Sequence, residues 1–167
     1  MRPEGEDIES FYALIGRVNA NWNSIELHCS YVFERLLRGA SPGTSHALWR
    51  AMRHFETKTR AITEVIAETC PREVQEAWSQ LRSELEKKYA SRHPVAHHHV
   101  VKKTEGKLEK DGVRNIKTHV YLTDYADVKG RSSARQKHDL ELLLNNYVEL
   151  RRRVKRFLAE LETSLGK

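Results

Sequence analysis

The chain has 167 residues, 31% of them charged and 39% hydrophobic, with a formal net charge of +6. That length suits one domain with a buried core, and the apolar residues recur too regularly for a disordered chain. No apolar run approaches the ~18 residues of a membrane span. The acidic start Met1–Asp7 does not read as a signal peptide. Two cysteines, Cys29 and Cys70, lack metal-ligand spacing, so a reducing, cytoplasmic setting is expected.

Ile8, Phe11, Ile15, Val18, Trp22, Ile25, Cys29, Val32 and Leu36 alternate steps of three and four. That predicts a first helix of about 30 residues with one apolar stripe. Gly39, Ser41, Pro42 and Gly43 end it. Leu48, Met52, Phe55, Thr59, Ile62 and Ile66 predict a second helix over residues 44–69. Pro71 suits the first turn of a third, striped by Val74, Trp78, Leu81 and Leu85. Arg92 falls seven positions after Leu85, on the same stripe, where a solvated charge is not expected. Pro94 is expected to break or kink that helix.

Two β-branched stretches, His98–Lys103 and Ile116–Leu122, flank Asp111-Gly112. They predict a hairpin, with residues 123–133 reading as loop, in an insertion over about 98–131. Ser133 and Gln136 form a candidate capping box. Leu140, Leu143, Tyr147, Leu150, Val154, Phe157 and Leu161 then stripe a fourth helix to about Thr163. The expected fold is all-α: an up-down-up-down four-helix bundle over 1–167, with a β-hairpin-like insertion between helices three and four. Trp22, Trp49 and Trp78 read as its core.

Charge is unevenly spread. Residues 1–100 hold 13 basic and 13 acidic residues, whereas residues 101–167 hold 16 basic and 10 acidic. A basic final third suits a polyanion, or is simply a solvated face.

The chemistry concentrates in Arg92-His93-Pro94-Val95-Ala96-His97-His98-His99. Arginine carries a permanent planar cation that fits phosphate. Histidine exchanges a proton near neutral pH. Together they can cut a phosphodiester without a metal. On a continuous helix, residues five apart differ by about 140° and residues seven apart by about 20°. On that count His99 faces with Arg92 better than His97 does, and His97, His98 and His99 all stand as candidate partners. Structural uses compete with this reading. Arg92 can cap helix carbonyls or pair with Glu26, and Glu26 can serve only as an ion-pair partner. His93 and His97, four apart, have metal-ligand spacing but no cysteine or carboxylate beside them in sequence. Lys102 and Lys103 follow directly and are placed to guide a nucleic-acid backbone.

These residues resemble the HEPN superfamily, whose common motif reads Arg-Asn-x-x-Ala-His within a helical bundle. Arg92, Ala96 and His97 match it in place. His93 stands where asparagine is common, and Pro94 follows it. Trp22-Asn23-Ser24-Ile25-Glu26 on the first helix is also similar to the family. The resemblance covers the whole helical layout. It implies a metal-independent, cofactor-free endoribonuclease, in some members a toxin of a toxin–antitoxin or phage-defence system. Arg92 would hold the scissile phosphate, and His97 would act as general base or acid. His93, His99 and Glu26 would support them, and products would be a 2′,3′-cyclic phosphate and a 5′-hydroxyl. The implied partners are RNA, a second copy in a homodimer, and a cognate antitoxin or nucleotidyltransferase-type protein, with no membrane. Other members are non-catalytic RNA- or protein-binding modules, which is the alternative expectation. A third is a partner subunit of a two-component system, silent on its own.

Overall fold

The computed structural model describes residues 8–97, 99–108, 114–123 and 136–166. The chain is predominantly helical. In order, it forms α1 (Ile8–Leu36), α2 (Pro42–Ala51), α3 (Phe55–Thr69), α4 (Arg72–Ala90), α5 (Arg92–His97), β1 (His99–Leu108), β2 (Arg114–Thr123) and α6 (Lys137–Ser164). No helix among the described residues is long and apolar enough to cross a membrane.

The sequence reads as one domain, and the structure groups it into two compact units. One gathers the described residues up to Ala20 and from Ser91 to Asn145. The other gathers Asn21–Ala90 and the described residues from Asn146 onward.

In the second unit the core is aromatic. Trp22 is fully buried, with ring centroids 5.1 Å from Phe55, 5.6 Å from Tyr89 and 5.2 Å from Tyr147. Trp78 stacks against Phe157 at 5.4 Å. Several buried polar groups are matched. Trp78 Nε1 and Arg82 Nη1 both donate to Thr63 Oγ1, at 2.9 and 3.2 Å, and that hydroxyl donates to the Thr59 carbonyl. The last carbonyls of a helix have no partner within it. The buried Tyr147 hydroxyl supplies one for Lys88 at 3.1 Å, and Gln75 does so for Cys70 at 2.9 Å.

In the first unit the buried apolar residues are Phe11, Leu14 and Val18 of α1, Val95 of α5, Val120 and Leu122 of β2, and Leu140, Leu143 and Leu144 of α6. β1 and β2 pair antiparallel from His99↔Thr123 to Leu108↔Arg114, and β2 touches α5. The expected turn at Asp111-Gly112 and the expected loop after Thr123 lie outside the described residues.

Two expected helices are divided, so the described residues form six helices where four were expected. The stretch 44–69 breaks at Met52–His54, where Met52 and His54 are both extended. Core packing explains the break. Trp49 packs on Phe33 at 5.7 Å and Phe55 on Trp22 at 5.1 Å. On one continuous helix, residues six apart diverge by about 120°, and these two rings could not both turn inward. The register shifts with it: Ser45 and Trp49 are buried, and Leu48 is 49% exposed. The third helix ends at Ala90, and Arg92 opens α5 instead of closing the stripe begun at Val74. Continuing α4 through Pro94 would lack the bond to the Ala90 carbonyl and drive the ring into it. Restarting at Arg92 puts Pro94 in a first turn, where no N–H is needed.

α6 starts at Lys137, and the Gln136 N–H donates to Asp139 Oδ2 at 2.9 Å. The carboxylate thus makes the back-reaching bond of a capping box from the third helical position, with Gln136 at the N-cap rather than at the third position expected of it. Ser133, the expected N-cap, lies outside the described residues. At α2, Ser41 Oγ accepts from the Thr44 N–H at 3.2 Å and Pro42 takes the first position.

Candidate functional site

Arg92 sits at the first position of α5 and His97 at its last. Five helical positions separate them by about 7.5 Å along the axis and about 140° around it. His93 is the second residue of the same helix. His99 opens β1 opposite Thr123, and His98 lies outside the described residues. A six-residue helix therefore carries the arginine, the neighbouring histidine and the motif histidine, with Val95 as its buried anchor.

Arg92 is half-buried. Its Nε is closed off from solvent and donates to no acceptor among the described residues. An unmet buried donor costs roughly 1–3 kcal/mol, more on a charged group, so folded chains seldom leave one without a use. The guanidinium fits an anion with two oxygens in one plane.

Glu26 belongs to the other unit and is engaged there. It accepts the Trp22 indole N–H at 2.6 Å and pairs with Lys58 Nζ at 3.5 Å. Lys58 also lies 5.0 Å from the centre of the Trp49 ring. Sequence reasoning passed over Lys58 because the partner comes from a different helix, 32 residues away. The four-residue spacing of Trp22 and Glu26 was the available signal. Cys29 lies fully buried one turn beyond Glu26. Burial first, and then the Glu26 charge, push its thiol up to about 12, with Lys58 acting against them. That thiol is no nucleophile at neutral pH.

Lys102 and Lys103 are neighbours in β1, and neighbouring strand residues lie on opposite faces. The register pairs Lys102 with Val120 and Lys103 with His119. Among the described residues no three His, Cys, Asp or Glu side chains gather to hold a metal ion. No family model, curated protein or solved structure matches this chain.

Proposed function

We propose that this chain is a HEPN-type, metal-independent endoribonuclease acting through Arg92 and His97. The observation that carries the reading is the buried, unmatched Arg92 Nε at the head of the short helix that ends in His97. In this reading the guanidinium binds the scissile phosphate and offsets charge as the transition state forms. His97 takes the proton of the attacking 2′-hydroxyl or gives one to the leaving 5′-oxygen, with His93 and His99 beside it in sequence. The 2′-hydroxyl is the nucleophile, so RNA is the substrate and a 2′,3′-cyclic end the product. The angle between positions 92 and 97 favours completion of the site by a second copy in a homodimer. An up-down-up-down helix order and a toxin-like or defence role, held by an antitoxin or nucleotidyltransferase-type partner, belong to the same proposal.

The engagement of Glu26 with Trp22 and Lys58 supports a second reading, a non-catalytic RNA- or protein-binding module. Single-stranded RNA incubated with the purified chain in EDTA separates the two. Cleavage leaving cyclic ends supports the enzyme. Cleavage that stops in chelator and returns with a divalent ion rejects this mechanism, and binding without cleavage supports the module.

A further inference from the structure

Five of the six residues Arg151–Arg156 of α6 are cations, and four of those five are arginines. Leu150, Val154 and Phe157 fix the buried side of this stretch. The cations therefore take the remaining circumference, with Arg152, Lys155 and Arg156 exposed. Arg152 pairs with Glu149 at 3.3 Å, and Arg153 pairs with Glu84 of α4. Arg151, Lys155 and Arg156 make no ion pair among the described residues.

α4 runs beside this stretch. Tyr147 bonds the Lys88 carbonyl at 3.1 Å, and Arg153 meets Glu84 one turn away. Lys87 and Lys88 add two more charges, and both help to hold the Glu84 carboxyl below its ordinary range. Between the helices lies a notch of about 190 Å³, lined by Gln80, Leu81, Arg153, Arg156, Phe157 and Glu160. Seven cations thus stand against four carboxylates, Glu84, Glu86, Glu149 and Glu160, and Glu86 is already paired with Arg82 at 2.7 Å.

We infer that this α4/α6 seam is a docking surface for a nucleic-acid phosphodiester backbone. Charge complementarity is the argument, and the absence of apolar exposure narrows the partner. Among the described residues the exposed large apolar ones are Tyr12, Leu27, Tyr31, Leu48 and Leu142, none of them in this stretch. A helix that lies in a membrane surface needs apolar residues to insert. A protein partner needs a desolvated apolar or aromatic centre. A phosphate backbone needs neither, and arginine forks bind phosphate oxygens in pairs. Such contacts position a strand without reading its sequence. The surface lies in the unit that lacks Arg92, and the inference holds whether or not the chain cleaves RNA.

The test is fluorescence anisotropy of the full chain with labelled oligonucleotides of about 20 residues, a span that exceeds the seam. A DNA strand is used beside RNA of the same sequence, because it lacks the 2′-hydroxyl and cannot be cut by the proposed route. The wild type should bind both, more weakly as salt rises. R152Q/K155Q/R156Q removes three exposed charges and should retain its helicity. Its affinity should fall by about tenfold or more, and its salt slope should flatten by roughly two to three. R50Q/R53Q/R60Q removes the same charge from exposed positions on other segments and should bind within about twofold of wild type. A seam variant that binds like wild type overturns the inference, as does a control variant that loses as much. Binding displaced by anionic phospholipid vesicles but by no excess of unlabelled oligonucleotide would assign the surface to a membrane instead. DNA binding without RNA cleavage leaves this inference standing and removes only the enzyme reading.

Discussion

Glu26 accepts the indole N–H of Trp22 at 2.6 Å, one turn away on α1, and so ties a fully buried aromatic ring to an ion pair with Lys58 of α3. The indole is fully buried and has no other acceptor among the described residues, so its N–H depends on this carboxylate. The family resemblance marks both residues, and their geometry is that of a scaffold. Glu26→Ala leaves the N–H unmatched and Lys58 without its partner. It should cost about 2 kcal/mol in urea unfolding. Glu26→Gln keeps an acceptor and should cost clearly less. If Glu26→Gln unfolds as easily as Glu26→Ala, the hydrogen bond is not what matters.

Burial of Cys29 makes stability fall at alkaline pH. Its thiol is held up to about 12 in the folded chain, against an ordinary value of 9.0. Between those values the unfolded chain has released the proton and the folded chain has not, so rising pH favours unfolding. The contribution approaches 1.4 kcal/mol per pH unit within that window. Cys29→Ala should remove this part of the slope while lowering stability at neutral pH through the cavity it leaves. The native thiol should also resist iodoacetamide at pH 8 until denaturant is added. Rapid native alkylation would show that the thiol is not sealed.

Glu84 and Arg153 act at the acid end. The Arg153 hydrogen bond, with the charges of Arg153, Lys88 and Lys87, holds the Glu84 carboxyl below its ordinary range. Its stabilisation is complete above the unfolded value of about 4.3 and is lost as pH falls through the lower folded value. Because Glu84 is 45% exposed, solvent screens the pair and the effect is small. Arg153→Gln should shift acid unfolding to slightly higher pH and leave neutral stability nearly unchanged. An unchanged acid midpoint would mean that the pair contributes nothing.

The sequence carried the long helices well where one stripe served one helix. Every stripe residue from Leu140 to Leu161 of α6 is buried. It failed where two anchors had to turn inward from one apparent helix, as Trp49 and Phe55 do, because no glycine or proline marks Met52–His54. It placed Arg92 beside its histidines in the chain but gave it the wrong helix. The proline that signals a break lies two residues after the arginine, whereas the break falls just before it. Cross-helix polar partners, such as Lys58 for Glu26 and Glu84 for Arg153, have no signature in spacing at all.

Arg92 offers the sharpest separation of catalysis from scaffold. A structural arginine stabilises the fold through bonds that it makes, and its removal lowers stability. Arg92 has a buried Nε that bonds to nothing among the described residues. Replacing such a group by an apolar side chain of similar length removes an unmet donor. Arg92→Met should therefore leave the unfolding midpoint in urea unchanged or raise it, while abolishing RNA cleavage. Arg92→Lys keeps the charge but loses the planar fork, and should retain only a small residual rate. His97→Ala should be as inactive as Arg92→Met and bind RNA nearly as well as wild type. If His99→Ala is the inactive variant and His97→Ala is silent, the proton-transfer role moves to β1 and the family reading survives. If Arg92→Met unfolds the chain at markedly lower urea, the arginine is a structural member and the cleavage proposal loses the observation it stands on.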